Sequence, residues 1–321
     1  MARAKSGRAK KYNWMQTRLE YQLLSTASGL PYADSHYIDV ARGLSLINRK
    51  LVRQGQLFRI KGLRVYQTGD TSNRRFKVAT IPTNWVSRNA WVKGKALWDE
   101  MNATALSSGN MAMMPKYHDY KVMFNAGHKT DLAAGKNPIP CDADGNPIST
   151  TSSEWVYSEY ADSGGDDTGG SDNYDVKFLG FHEGTTTNYT CVSLIEAYRQ
   201  SRIRPQSTDP QWPIDAINSP WMKLFGDDDQ TSDVLTNLDE DNDAPPYDPS
   251  RYPGDGLDDG GFGVITSTPM KSSGAAGGLM GGVTFNAPCG LIRVEIDDDS
   301  TMTNVPVTIS FDVEILGPMD M

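Results

Sequence analysis

The sequence predicts an all-β fold: a jelly-roll β-sandwich of about eight strands, with long loops and one or two short helices. Three observations lead there. Short segments alternate apolar and polar residues with period two, the mark of half-buried strands. The connections between them are long and rich in Gly, Asp, Ser and Pro. Successive strands of a jelly roll lie in opposite sheets and must travel, which suits such connections better than a meander does. The 321 residues are 38% hydrophobic with 30 Gly and 18 Pro, enough for a core and too punctuated for a coiled coil. No run approaches the ~18 apolar residues of a membrane span. The basic start has no apolar stretch behind it, so no secretory signal is expected.

Taken in order, residues 12–54 read as mixed helix and extended arm, and the apolar steps Ile38, Val40, Ala41, Leu44, Ile47 and Leu51 predict a short amphipathic helix within Tyr37–Val52. The period then changes. Phe58, Ile60, Leu63 and Val65 alternate with Arg59, Lys61, Arg64 and Tyr66, with a slip at Gly62 that predicts a bulge. Phe76, Val78 and Thr80 repeat the signal after a turn at 70–73, and helical spacing of Trp91, Lys95, Trp98 and Met101 predicts a helix over 89–101. Further strands are expected at 118–124, 153–160, 174–181, 263–268 and 290–296, and a helix at 191–202. The last strand, 305–316, alternates most cleanly, with Val307, Ile309, Phe311, Val313 and Ile315 inward. The expected organisation is a basic, partly disordered arm over 1–36 and one domain over 37–321, with long insertions at 125–152, 161–173, 205–262 and 269–282.

The net charge of −9 conceals a gradient. Residues 1–100 hold 19 Lys and Arg against six Asp and Glu; the remainder hold 12 against 34. The first eleven residues carry Arg3, Lys5, Arg8, Lys10 and Lys11 without an acid, whereas Asp227 to Asp259 hold twelve acids against Arg251 alone. A basic end joined to an acidic body suits a molecule with one face toward a polyanion such as nucleic acid. Arg49, Lys50 and Arg53, at the end of the expected first helix, are the next candidates for phosphate contacts, since such contacts need cations and no particular base edge.

Other chemistries find little support. Four histidines lie scattered at 36, 118, 128 and 182 without an HExxH pair, and no P-loop, GxSxG elbow or dinucleotide fingerprint is present. Three widely spaced cysteines argue against a disulfide framework and for a reducing compartment. Asp239, Asp241 and Asp243 alternate like calcium-loop ligands, but Ala244 and two prolines follow where that loop needs glycine. No cofactor and no metal-ligating residue is therefore assigned. A structural Ca2+ ion at subunit contacts is the one ion that Asp227–Asp229, Asp258–Asp259 or Asp297–Asp299 could serve. No catalytic residue stands out among the 40 acids, so no enzyme is predicted. The segment Trp85–Lys95 interleaves aromatic and basic residues as a base-stacking platform would, although burial is the commoner fate of such tryptophans.

Five stretches carry a resemblance: ARGLSLINRKLVRQGQLFRIKGLRVY (41–66), TIPTNWVSRNAWVKGKALW (80–98), PKYHDYKVMF (115–124), DEDNDAPPYDPSRYPG (239–254) and NAPCGLIRVEI (286–296). Together they resemble the capsid (coat) proteins of small circular, Rep-encoding single-stranded DNA viruses of the circovirus-like kind known from environmental sequencing. The resemblance implies a jelly-roll subunit that self-assembles into a small icosahedral virion inside a host cell and packages its genome through a basic arm. That arm maps here onto Arg3, Lys5, Arg8, Lys10 and Lys11. It is shorter and poorer in arginine than is usual in such proteins, which raises the prospect of a second basic wall from Arg42, Arg49, Lys50, Arg53, Arg74 and Arg75. The competing reading is a monomeric β-sandwich carbohydrate-binding module or glycosidase. Nearer the first reading stands a phage capsid subunit with another genome type.

Overall fold

A computed structural model describes residues 15–24, 32–67, 73–107, 115–161, 173–185, 188–201, 263–271, 278–298 and 306–319. The protein is mostly β-sheet. One four-stranded sheet has the order β1 (Arg18–Leu24), β12 (Pro306–Pro318), β3 (Gln56–Gln67), β10 (Gly278–Pro288). A second has the order β2 (Tyr32–Asp39), β11 (Leu291–Asp298), β4 (Asn73–Thr80), β9 (Gly263–Lys271). Every pairing in both is antiparallel. The period-two pattern explains the layering. Leu19, Tyr21, Phe58, Ile60, Val307, Ile309 and Phe311 of the first sheet and Ile38, Phe76, Val78, Ile292 and Val294 of the second join one buried cluster. Alternate residues of β12 such as Asp312 and Glu314 face outward. Two antiparallel sheets around one core make a β-sandwich.

Several expected elements are found where the alternation is strongest. β3 carries its bulge at Gly62, whose φ of +59° is the left-handed conformation glycine adopts at no steric cost, and the registers with β10 and β12 both slip there. β4, β11 and β12 also match their predicted segments. Other expectations are corrected. The arm does not extend to residue 36, because Arg18–Leu24 and Tyr32–Asp39 are strands. The first helix, α1 (Val40–Asn48), begins after Asp39, whose carboxylate caps it by accepting from the Arg42 backbone N–H at 3.1 Å. The low-complexity stretch expected to loop over 269–282 is strand from Gly278 onward.

An insert between β4 and β9 carries most of the remaining structure. It contains α2 (Trp85–Ser107), α3 (Ala126–Ala133), α4 (Leu194–Gln200) and a third sheet in the order β5 (Glu159–Ala161), β6 (Asn173–Lys177), β8 (Asn188–Ser193), β7 (Glu183–Thr185). Among the described residues four helices therefore replace the one or two expected, and α2 alone runs 23 residues. Of the stretch expected as strand over 153–160 only its last two residues are in β5, and 191–202 divides into the end of β8 and α4. The insert has its own core, in which Trp91, Trp98, Tyr120, Phe124, Val176, Phe178 and Leu194 pack against Tyr37 and Leu291 of the second sheet. A turn at Asp142–Asn146, in which the Asp142 carboxylate accepts from two backbone N–H groups at 2.9 Å, brings Cys141 N–H onto the Glu20 carbonyl at 2.7 Å and covers the outer edge of β1. No helix among the described residues is long and apolar enough to cross a membrane.

Candidate nucleic-acid interface

The residues that place α1 come first. Asp39 sits at the junction of β2 and α1 and is buried. Beyond its cap, its second carboxylate oxygen accepts from Gln54 Nε2 at 3.1 Å, Trp155 Nε1 at 3.1 Å and the Tyr157 hydroxyl at 3.2 Å. Burial pushes its pKa above the ordinary carboxylate range, against the opposing pull of its cap bond and of Arg42. The Tyr157 hydroxyl lies 3.4 Å from His128 Nε2, and His128 Nδ1 accepts from the Phe124 N–H at 3.0 Å. Nδ1 is then unprotonated and Nε2 carries the proton. Burial, reinforced by Arg42, holds His128 neutral with a pKa lowered to about 3. Asp39, Tyr157 and His128 are each under a tenth exposed, so this chain of polar groups ties the insert to the sandwich and is closed to a substrate.

The other end of α1 carries the candidate cations. Arg49 caps it in the left-handed conformation at φ +51°, and its N–H donates to the Ser45 carbonyl. A glycine would hold that conformation for about 1 kcal/mol less. Arg49, Lys50 and Arg53 are all exposed. Part of this is structural, since cations are favourable beside the negative end of a helix dipole. Arg53 also lies 3.9 Å from Asp119, but a pair with its arginine 68% exposed is worth under about 1 kcal/mol and yields readily to a phosphate.

The path of the chain into the sandwich adds what the sequence did not reveal. Gln16 N–H donates to Asn48 Oδ1 at 2.7 Å, and Asn48 Nδ2 donates to the Gln16 carbonyl at 2.9 Å. Met15 packs against the main core, and the Thr17 carbonyl accepts from Val313 N–H at 2.9 Å. Residues 15–17 are thus strapped to the last turn of α1, one position from Arg49.

The proposed basic wall does not hold as one surface. Arg3, Lys5, Arg8, Lys10 and Lys11 lie outside the described residues. Arg42 is half-buried in the field of Asp39. Arg74 and Arg75 occupy register positions opposite Asp298 and Asp297, whereas Asp39 is opposite Leu291 on the same strand β11. Six residues of strand, about 20 Å, separate the two ends, and acidic residues stand in register opposite the distal arginines. The stacking platform also fails for one of its two rings: Trp91 is 3% exposed, while Trp85 stays 44% exposed and edge-on to Tyr198. His118, expected in a strand, lies in irregular backbone and stacks on Trp98 at 4.7 Å.

Among the described residues no group of three His, Cys, Asp or Glu could hold a metal ion. Asp227–Asp229, Asp239–Asp243 and Asp258–Asp259, and the side chains of Asp297–Asp299, lie outside what is described. All three cysteines are buried free thiols; burial raises their pKa, Cys191 to about 12. No family model matches the chain, and neither a curated protein nor a solved structure matches it.

Proposed function

We propose that the chain is a viral capsid subunit: a jelly-roll wedge that tiles with its own copies into a small icosahedral shell and holds a single-stranded DNA genome by its basic arm. The sheet orders β1-β12-β3-β10 and β2-β11-β4-β9 support the jelly roll, because consecutive sandwich strands alternate between the sheets except at β4 and β9, which pair with each other where the two Greek keys meet. The observation that supports the genome contact is the strapping of Gln16 to Asn48, which holds the described start of the chain one position from Arg49. In this reading the basic residues of 3–11, which precede Gln16 in the chain, act together with Arg49, Lys50 and Arg53. Lysine and arginine cations suit phosphates rather than base edges, so binding is independent of sequence and falls steeply with salt. The subunit would work within a virion assembled in the host cell.

Deleting residues 2–11 tests this. Purified particles should still sediment as shells, with a lower ratio of absorbance at 260 to 280 nm because less nucleic acid is retained. Unchanged packaging would refute the role of the arm. A full-length chain that stays subunit-sized in every buffer and binds or cleaves sugars would replace the proposal with the carbohydrate-module reading.

A further inference from the structure

We propose that the exposed face of α2 is a subunit contact, where two copies of the chain pack their α2 helices antiparallel across a local two-fold axis. This rests on the reading of the protein as a self-assembling subunit and names one of its surfaces. α2 buries Val86, Ala90, Trp91, Gly94 and Trp98 against the insert. On its other side Val92 is 38% exposed and Ala96 and Ala103 are exposed, and Trp85, one edge of which meets Tyr198 of α4, keeps 44% of its surface open. At about 100° per residue these four fall within roughly 40° of one another, so they form one apolar stripe along the helix. The stripe is symmetric in a specific way. Trp85 and Ala103 lie nine residues either side of Gly94, and Val92 and Ala96 lie two residues either side. A second helix crossing antiparallel at the level of Gly94 sets Trp85 against the second copy's Ala103 and Val92 against its Ala96, large against small each time. A parallel partner in register would set Trp85 on Trp85 and Ala103 on Ala103.

Charge selects the same orientation. Arg88 lies in the first half of α2 and Asp99 in the second, about 20° apart on one flank of the stripe. Antiparallel pairing brings each Arg88 to the Asp99 of the other copy, twice per two-fold axis, as a self-complementary contact requires. Both residues already have partners within the chain, and that of Asp99, the exposed i,i+4 Lys95, is worth under about 1 kcal/mol, so the contact between copies exchanges partners. One helix pair covers less than the roughly 1,200–2,000 Å² of a stand-alone interface, and the contact belongs to a lattice that repeats it.

Sedimentation velocity of the full chain and of the R88E, D99R, R88E/D99R and V92E variants tests the contact, with circular dichroism to confirm that each folds. Particle yield should fall at least tenfold in R88E, D99R and V92E and recover in R88E/D99R. A Val92→Cys variant should react with maleimide in the free subunit and be protected in the particle. Wild-type particles together with unaffected R88E and V92E overturn the α2 contact and leave the capsid reading standing. Protection of the cysteine in the free subunit also overturns it, because another part of the same chain would then cover the stripe. A wild-type chain that never assembles ends both.

Discussion

The Tyr157 hydroxyl donates to Asp39 Oδ2 across 3.2 Å and joins the insert to the strand–helix junction of the sandwich. Asp39 accepts four donors in all, from Arg42, Gln54, Trp155 and Tyr157. Removing the acceptor leaves several buried donors unsatisfied, whereas removing one donor leaves the carboxylate three others. Asp39→Ala should therefore cost about 3–5 kcal/mol and Tyr157→Phe about 1–2 kcal/mol. Urea midpoints on the unassembled chain measure both, and equal costs would show that Asp39 is not the hub.

His128 makes stability pH-dependent. Its folded pKa is lowered to about 3, while an unfolded histidine titrates near ~6.5, so the unfolded chain binds the proton first as the solution is acidified. The stability contributed by neutral His128 is complete above about pH 6.5 and is lost progressively as pH falls toward about 3. Asp39, raised by burial, acts with the opposite sign: the folded state keeps its proton longer, and stability declines as pH rises through its shifted range. His128→Gln removes only the first effect. The stability advantage of wild type over that variant should narrow by roughly 2–3 kcal/mol between pH 7 and pH 4.5. Parallel profiles would mean that His128 titrates while folded.

The sequence disclosed β3, β4, β9, β11 and β12: β3 and β12 alternate between a buried and a wetter face, whereas β11 is buried on both faces apart from half-buried Glu295. β1 has the same alternation, with Leu19, Tyr21 and Leu23 inward and Arg18, Glu20 and Gln22 outward, but Leu19 and Leu23 also sit four apart as helix neighbours do. β10 opens on glycines that present no pattern at all. The 118–124 segment alternates like a strand, with Tyr120, Val122 and Phe124 buried, yet for much of its length it pairs with side chains. Gln54 receives the Val122 N–H at 2.6 Å and donates to its carbonyl at 3.0 Å, so one amide does the work of a neighbouring strand. The candidate cations were legible as charge. The meeting of Gln16 with Asn48 beside Arg49 was not, because 32 residues of sequence separate the two.

Arg49 offers a test in which stability and binding move in opposite directions. Its φ of +51° favours glycine, so Arg49→Gly should stabilise the subunit by up to about 1 kcal/mol. If Arg49 contacts a phosphate, the same change weakens single-stranded DNA binding and lowers the slope of log K against log salt by about 0.7. Thermal melting and salt-titrated fluorescence anisotropy read the two effects. A stabilised variant with an unchanged slope would assign Arg49 to helix termination alone.

Gly94 sets two general effects against each other. In the interior of a helix, glycine to alanine ordinarily gains about 0.5–1 kcal/mol. Here the added methyl would lie 2.5 Å from Leu194 Cδ2, 2.8 Å from the Tyr120 hydroxyl and 2.9 Å from the Tyr160 hydroxyl. The leucine methyl can rotate away at small cost. The phenols cannot: they are buried, hydrogen-bonded to each other at 2.7 Å, and Tyr160 donates onward to the Gly94 carbonyl at 3.0 Å. Overpacking of that kind costs about 1–3 kcal/mol and outweighs the helical gain. Gly94→Ala should be destabilised by roughly 1–2 kcal/mol, and Gly94→Ala combined with Tyr160→Phe should recover part of the loss in a double-mutant cycle. A stabilised Gly94→Ala would mean that α2 stands further from the insert than these distances require.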